Sequence, residues 1–107
     1  FPSDALVPWL NLAVNGVERR DPTQAREALD RAWRIRVNDR LDSPLLGIEV
    51  VWALLTGDAV QIERRLGQLE ALAKRRPLDP QTRELLQRAA RWEPGATERI
   101  AALIQSD

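Results

Sequence analysis

Apolar positions along this chain recur at steps of three and four. Ala25, Ala28, Leu29, Ala32 and Trp33 share one face of a helix, with Arg26, Asp30, Arg31 and Arg34 elsewhere. Ala59, Ile62, Leu66, Leu69 and Ala73 form a second stripe, and Leu85, Leu86, Ala89 and Ala90 a third. No stretch alternates apolar and polar residues in the manner of a strand. The spacing predicts an all-α chain with helices over 5–18, 22–38, 44–56, 58–75, 80–92 and 96–105. Residues 45–55 break the two-faced pattern, being apolar on every side while carrying Glu49 in the middle. These 11 positions are too few for a bilayer span, which needs about 20. The pattern predicts a helix enclosed by other helices.

Proline and glycine punctuate the stripes. Asp21–Pro22, Ser43–Pro44 and Asp79–Pro80 each place a side-chain acceptor at an N-cap, with proline at the first helical position. Gln24 follows Asp21 by three residues and Gln61 follows Asp58 by three, the spacing of a capping box. Gly57 stands where a left-handed C-cap is needed, and Pro94 with Gly95 repeats the punctuation near the end. Pro8 is expected to kink or delay the first helix.

The punctuation repeats. A shift of 37 positions superposes Trp9 on Leu46, Ala13 on Val50, Gly16 on Ala53, Asp21 on Asp58, Ala25 on Ile62, Leu29 on Leu66 and Ala32 on Leu69. A further shift of 38 brings Gly57 onto Gly95, Ile62 onto Ile100 and Leu66 onto Ile104. One pair conflicts, because Leu12 falls on Glu49. The units lie near 6–39, 43–76 and 80–107.

In the first unit, Trp9, Leu12, Ala13 and Gly16, followed by Ala25, Leu29 and Ala32, resemble a tetratricopeptide repeat. The second unit keeps Gly57–Asp58 but puts Ile and Leu where the family has small residues, and the third is shorter. The resemblance implies about three antiparallel helix hairpins stacked as a short α-solenoid. First helices of the hairpins would then line a groove that receives a peptide segment or a helix of a protein partner. Carried over in register, the rows of that face are Leu10, Gly47 and Glu84; Val14, Val51 and Arg88; and Val17, Leu54 and Arg91. The expected partner-binding residues are Leu10, Asn11, Val14, Val17, Val51, Leu54, Arg88 and Arg91. The resemblance also implies a setting in bacterial secretion or exopolysaccharide assembly, where such domains hang from membrane anchors outside this segment.

Composition narrows the field. A chain of 107 residues with 44% hydrophobic side chains is expected to form one domain, 1–107, around a single core. Sixteen basic and sixteen acidic residues cancel, so no global field draws it to nucleic acid. Arg-rich triplets at 18–20, 63–65 and 74–76 nonetheless support an alternative, a helical regulatory domain that binds nucleic acid or another polyanion. Without Cys or His there is no thiol chemistry, no imidazole base and none of the common zinc sites, and no cofactor is expected. The absence of Met implies a piece of a larger protein. Arg in place of Lys at all but Lys74 accompanies GC-rich bacterial genomes. The compartment is left unknown, with the bacterial cytoplasm or the cytoplasmic face of the inner membrane favoured. Pairing of copies stays open.

Two features invite a chemical reading. Glu49 is a carboxylate in an apolar setting, the placement of some acid–base catalysts, but such groups need a second polar residue and the adjacent sequence has none. Pairing with an arginine of the preceding helix, such as Arg36, is the expectation. Trp9, Trp33, Trp52 and Trp92 could form an aromatic cage. Trp9 and Trp33 lie on the stripes and are assigned to the core, whereas Trp52 and Trp92 are less constrained, with one of them expected at the surface. Nothing resembles a phosphate loop, a metal cluster or a nucleophile elbow, so a non-catalytic scaffold is the expected role.

Overall fold

The computed structural model describes residues 2–35 and 42–105, with side chains from Pro8 in the first stretch and from Ser43 in the second. Among the described residues there are six α-helices: α1 (Pro2–Glu18), α2 (Pro22–Ile35), α3 (Asp42–Thr56), α4 (Ala59–Arg75), α5 (Pro80–Ala89) and α6 (Thr97–Gln105). Two 3-10 turns, Ala90–Trp92 and Pro94–Ala96, separate α5 from α6. The described residues contain no strand.

The helix limits follow local chemistry. Asp21 accepts a hydrogen bond from the Gln24 amide at 3.1 Å, and Asp58 accepts from Val60 and Gln61 at 3.1 and 3.2 Å. The Asp21 capping box is only half formed. The Gln24 side chain donates to the Leu12 carbonyl at 3.4 Å, while the Asp21 amide goes to the Gly16 carbonyl at 2.8 Å. Asp79 caps α5 through the Thr82 amide at 3.1 Å and also accepts from the Ser43 hydroxyl at 3.3 Å. Ser43 is therefore not an N-cap. It lies in the first turn of α3 and ties that turn to the start of α5. Pro8 neither delays α1 nor ends it. At the other end of the chain α5 stops at Ala89, three residues short of the expected limit, where the tighter turn takes over ahead of Pro94. Proline disfavours a helical residue before it, and Glu93 is extended at φ −140°. The expected continuation of α2 to residue 38 lies outside the described residues.

Helix α1 packs on α2, α3 on α4 and α5 on α6, while α3 also touches α1, α2 and α5. That position accounts for the run at 45–55. Leu45, Ile48, Val50, Val51, Ala53 and Leu54 are all buried, because helices lie on most sides of α3. On the stripes, Ala25, Ala28, Leu29 and Ala32 of α2, Ile62, Leu66 and Leu69 of α4, and Leu85, Leu86 and Ala89 of α5 are buried as the spacing predicts. Ala59, in the first turn of α4, is exposed instead. Two crossings depend on missing side chains. A Cβ on Gly16 would lie 2.7 Å from the Ala25 nitrogen, and one on Gly47 would lie 2.5 Å from the Thr82 methyl. Backbones of α1 and α2 meet at the first site, and α3 meets α5 at the second.

Candidate functional site

Glu49 is 1% exposed, and its carboxylate is fully engaged. Arg26 of α2 donates from Nη1 to Oε2 at 2.9 Å and from Nη2 to Oε1 at 2.5 Å, a two-pronged grip. The Trp33 indole donates to Oε1 at 3.2 Å, and Arg65 Nε of α4 lies 3.5 Å from Oε2. Arg26 is held in turn by Asp30 at 2.9 Å and stacks 4.9 Å above the Trp52 ring. The hydrogen bond to Glu49 is the largest influence on Arg26 and raises its pKa, against the opposing effect of burial. An arginine of the preceding helix pairs with Glu49 as expected, but it is Arg26. Arg36 lies outside the described residues. The polar groups missing from the adjacent sequence come from α2 and α4: Arg26 and Trp33 donate hydrogen bonds, and Arg65 adds its charge without one. The cluster joins three helices, and Glu49 lines none of the cavities described below.

The expected partner-binding residues separate into two groups. Leu10 and Val14 are half-buried, and Asn11, Arg88 and Arg91 are exposed. Val17, Val51 and Leu54 are buried, at 0%, 0% and 3% exposure. This corrects the expectation of an open apolar stripe, since Val17 and Val51 are core. The cause is the packing of α1 on α2 and α3, which covers Val17, and of α1, α2, α4 and α5 around α3, which covers Val51. Side chains also bridge the ends of α1 and α5, with Glu18 3.3 Å from Arg88 and the Arg20 guanidinium 5.0 Å from the centre of the Trp92 ring.

Trp92 is half-buried and divides a notch there. On one side a cavity of about 340 Å³ is lined by Arg20, Leu54, Leu55, Arg91 and Trp92. On the other side one of about 250 Å³ is lined by Glu18, Leu85, Arg88, Ala89 and Trp92. Leu54, Arg88 and Arg91 thus come together around Trp92, with Leu54 as floor. Arg20 and Trp92 join them from outside the expected partner-binding set, Trp92 having been weighed as a cage residue and Arg20 as part of a basic triplet. The available signal was Arg20 itself, which occupies the position equivalent to Gly57 in the repeat. All four tryptophans are half-buried, and Trp9, Trp52 and Trp92 each carry an arginine over the ring. Neither Trp52 nor Trp92 is fully exposed, contrary to expectation.

The three Arg-rich triplets go to different places. Arg20 reaches Trp92, Arg65 reaches Glu49, and Lys74, Arg75 and Arg76 line a groove of about 730 Å³ between α4 and α6. Arg99 also borders that groove, where Glu70 receives hydrogen bonds from its Nε and Nη2 at 3.2 and 2.7 Å and Glu63 receives one from its Nη1. The Arg99 hydrogen bond is the main reason the Glu70 carboxyl lies below its ordinary pKa. No group of three or more His, Cys, Asp or Glu side chains suited to a metal occurs among the described residues, and no described helix is long and apolar enough to cross a membrane. Comparison with protein-family models, with curated proteins and with solved structures found no match to this chain.

Proposed function

We propose that the chain is a tetratricopeptide-like stack of three hairpins, α1–α2, α3–α4 and α5–α6, acting as a non-catalytic protein-interaction scaffold. The supporting observation is a coincidence of backbone. Arg20 and Gly57, thirty-seven positions apart, are the residues with left-handed φ among the described residues, at +58° and +72°, and each is followed by an aspartate that caps the next helix. Apolar periodicity is common to all helical proteins; a repeated turn conformation at the repeat spacing is not.

The partner surface of this reading is what remains of the first-helix face once its buried members are removed. Leu10, Asn11 and Val14 form one end, and Arg88 and Arg91, beside the Trp92 notch, form the other. Glu49 has a structural part, because both of its oxygens are occupied by donors. The polyanion alternative keeps one basic groove, between α4 and α6, with the other two triplets placed elsewhere.

The test is affinity purification with the tagged chain. Wild type, Leu10→Glu, Arg91→Glu and Val60→Glu are compared, the last because Val60 is 73% exposed on α4, outside the proposed surface. Proteins retained by wild type and Val60→Glu but lost with Leu10→Glu or Arg91→Glu support the scaffold. Equal retention by all four removes this surface.

A further inference from the structure

We infer that the Trp92 notch binds an acidic segment of a partner protein, seating an aliphatic side chain on the leucine floor beside a carboxylate held by arginine. The inference rests on the scaffold reading and names the chemistry of its partner. Three observations converge on it.

The first is backbone strain. Left-handed φ strains a residue that carries a Cβ, and glycine avoids that strain. The equivalent turn of the second hairpin uses Gly57, yet the first uses Arg20, whose guanidinium lies over Trp92. A strained residue whose side chain borders a cavity points to a function for that side chain.

The second is charge. Arg91 makes no ion pair among the described residues, and Arg20 faces a ring instead of a carboxylate. Arg88 has Glu18 at 3.3 Å and Glu84 at 3.8 Å, both exposed pairs that water screens and a ligand can replace. Among the residues lining the two cavities, three guanidiniums stand against one carboxylate, in a chain of zero net charge. The larger groove between α4 and α6 is basic as well, lined by Lys74, Arg75, Arg76 and Arg99 against Glu70, but Arg99 is taken by Glu63 and Glu70 and no tryptophan among the described residues lines it.

The third is the floor. Leu54, Leu55 and Leu85 give the notch an apolar base, and Trp92 with arginine supplies the residue types that dominate binding hot spots. Arginine recognises carboxylates through paired, directional hydrogen bonds. A nucleic acid strand would use the charges but not the apolar edge, where Leu55 is half-buried, and a single tryptophan offers stacking to one base only.

Short random peptides displayed on phage and selected on the whole chain provide the test. Selected sequences should place Asp or Glu within a few positions of Leu, Ile or Phe. A labelled peptide of that consensus should bind more weakly as salt is raised. Arg91→Glu should weaken it by at least about tenfold, or about 1.4 kcal/mol, and Trp92→Ala should do the same. Arg75→Glu, in the α4–α6 groove, should leave binding unchanged. Circular dichroism establishes that each variant is folded, and exposed Arg91 gives a readout free of core damage.

Selected peptides without acidic residues, still lost with Trp92→Ala, would overturn the acidic chemistry and leave the scaffold standing. Acidic peptides that bind Arg91→Glu as well as wild type would overturn the site. Polyuridylate that binds through Arg91 while no acidic peptide is selected would give these arginines to nucleic acid and overturn the inference. No enrichment of any peptide would remove the scaffold reading along with it.

Discussion

Arg26 grips both carboxylate oxygens of Glu49, at 2.9 and 2.5 Å, across the α2–α3 contact where Glu49 is 1% exposed. Removing one partner of a buried pair leaves the other without compensation, and the loss is then about 3–5 kcal/mol. Arg26 and Arg65 keep 29% and 24% of their side chains in water, which softens that loss. Glu49→Ala is expected to destabilise by about 2–4 kcal/mol in urea denaturation. Glu49→Leu combined with Arg26→Leu should cost less than the sum of the two single changes, because the pair is removed together. A strictly additive result would mean that the two side chains are not coupled.

Gly16 and Gly67 should respond to alanine with opposite signs. A Cβ at Gly16 meets the Ala25 backbone at 2.7 and 2.9 Å, and backbone cannot step aside cheaply. Gly16→Ala is expected to cost about 1–3 kcal/mol, the range for an overpacked core. Gly67, in the middle of α4, has nothing within 4 Å of its Cβ position. Gly67→Ala should stabilise by about 0.5–1 kcal/mol, because alanine loses less backbone entropy on folding. Chemical denaturation midpoints of the two variants check this, and a shared sign would contradict the helix contacts described.

The two left-handed turns offer a second contrast. Gly57→Ala should destabilise by about 1–2 kcal/mol, since nothing offsets the strain of a Cβ at φ +72°. Arg20→Gly relieves similar strain but loses the stacking on Trp92, worth about 0.5–1 kcal/mol at an exposed site. It also adds freedom to the unfolded chain, so its melting temperature should stay close to that of wild type. A large loss with Arg20→Gly would show that the arginine contact contributes more than its exposure suggests.

Acid should act through Glu70. Its folded pKa is lowered by Arg99 from the ordinary 4.5, so it binds a proton less readily folded than unfolded. Its contribution is complete above the ordinary value and disappears as pH falls through the lowered one. Wild type should lose stability over that acid interval more steeply than Glu70→Gln, which has no proton to bind there. Denaturation midpoints measured at stepped pH decide it, with parallel curves as the contrary result.

Helix positions were legible in the sequence to within a few residues wherever a cap or a proline acts on its own neighbours. Asp58, Asp79 and Gly57 behave as their residue types require, since each bonds within one turn of itself. The end of α5 moved for a local reason, the proline at 94, whereas the start of α3 moved for one outside that range. Ser43 gave up its capping place to donate to Asp79, thirty-six positions away. The partner surface was less legible, because register assigned Val17, Val51 and Leu54 to one face without revealing that the helices packed around α3 cover it.

By itself, the sequence determined an all-helical chain, the stripes that each helix buries, and the enclosure of residues 45–55, because periodicity and capping are interactions within a turn or two. Tertiary structure alone decided that Arg26 and Trp33 would satisfy Glu49, that Val17 and Val51 would become core, and that Arg20 would meet Trp92. Those outcomes depend on crossing angles between helices distant in the chain, which residue spacing does not encode.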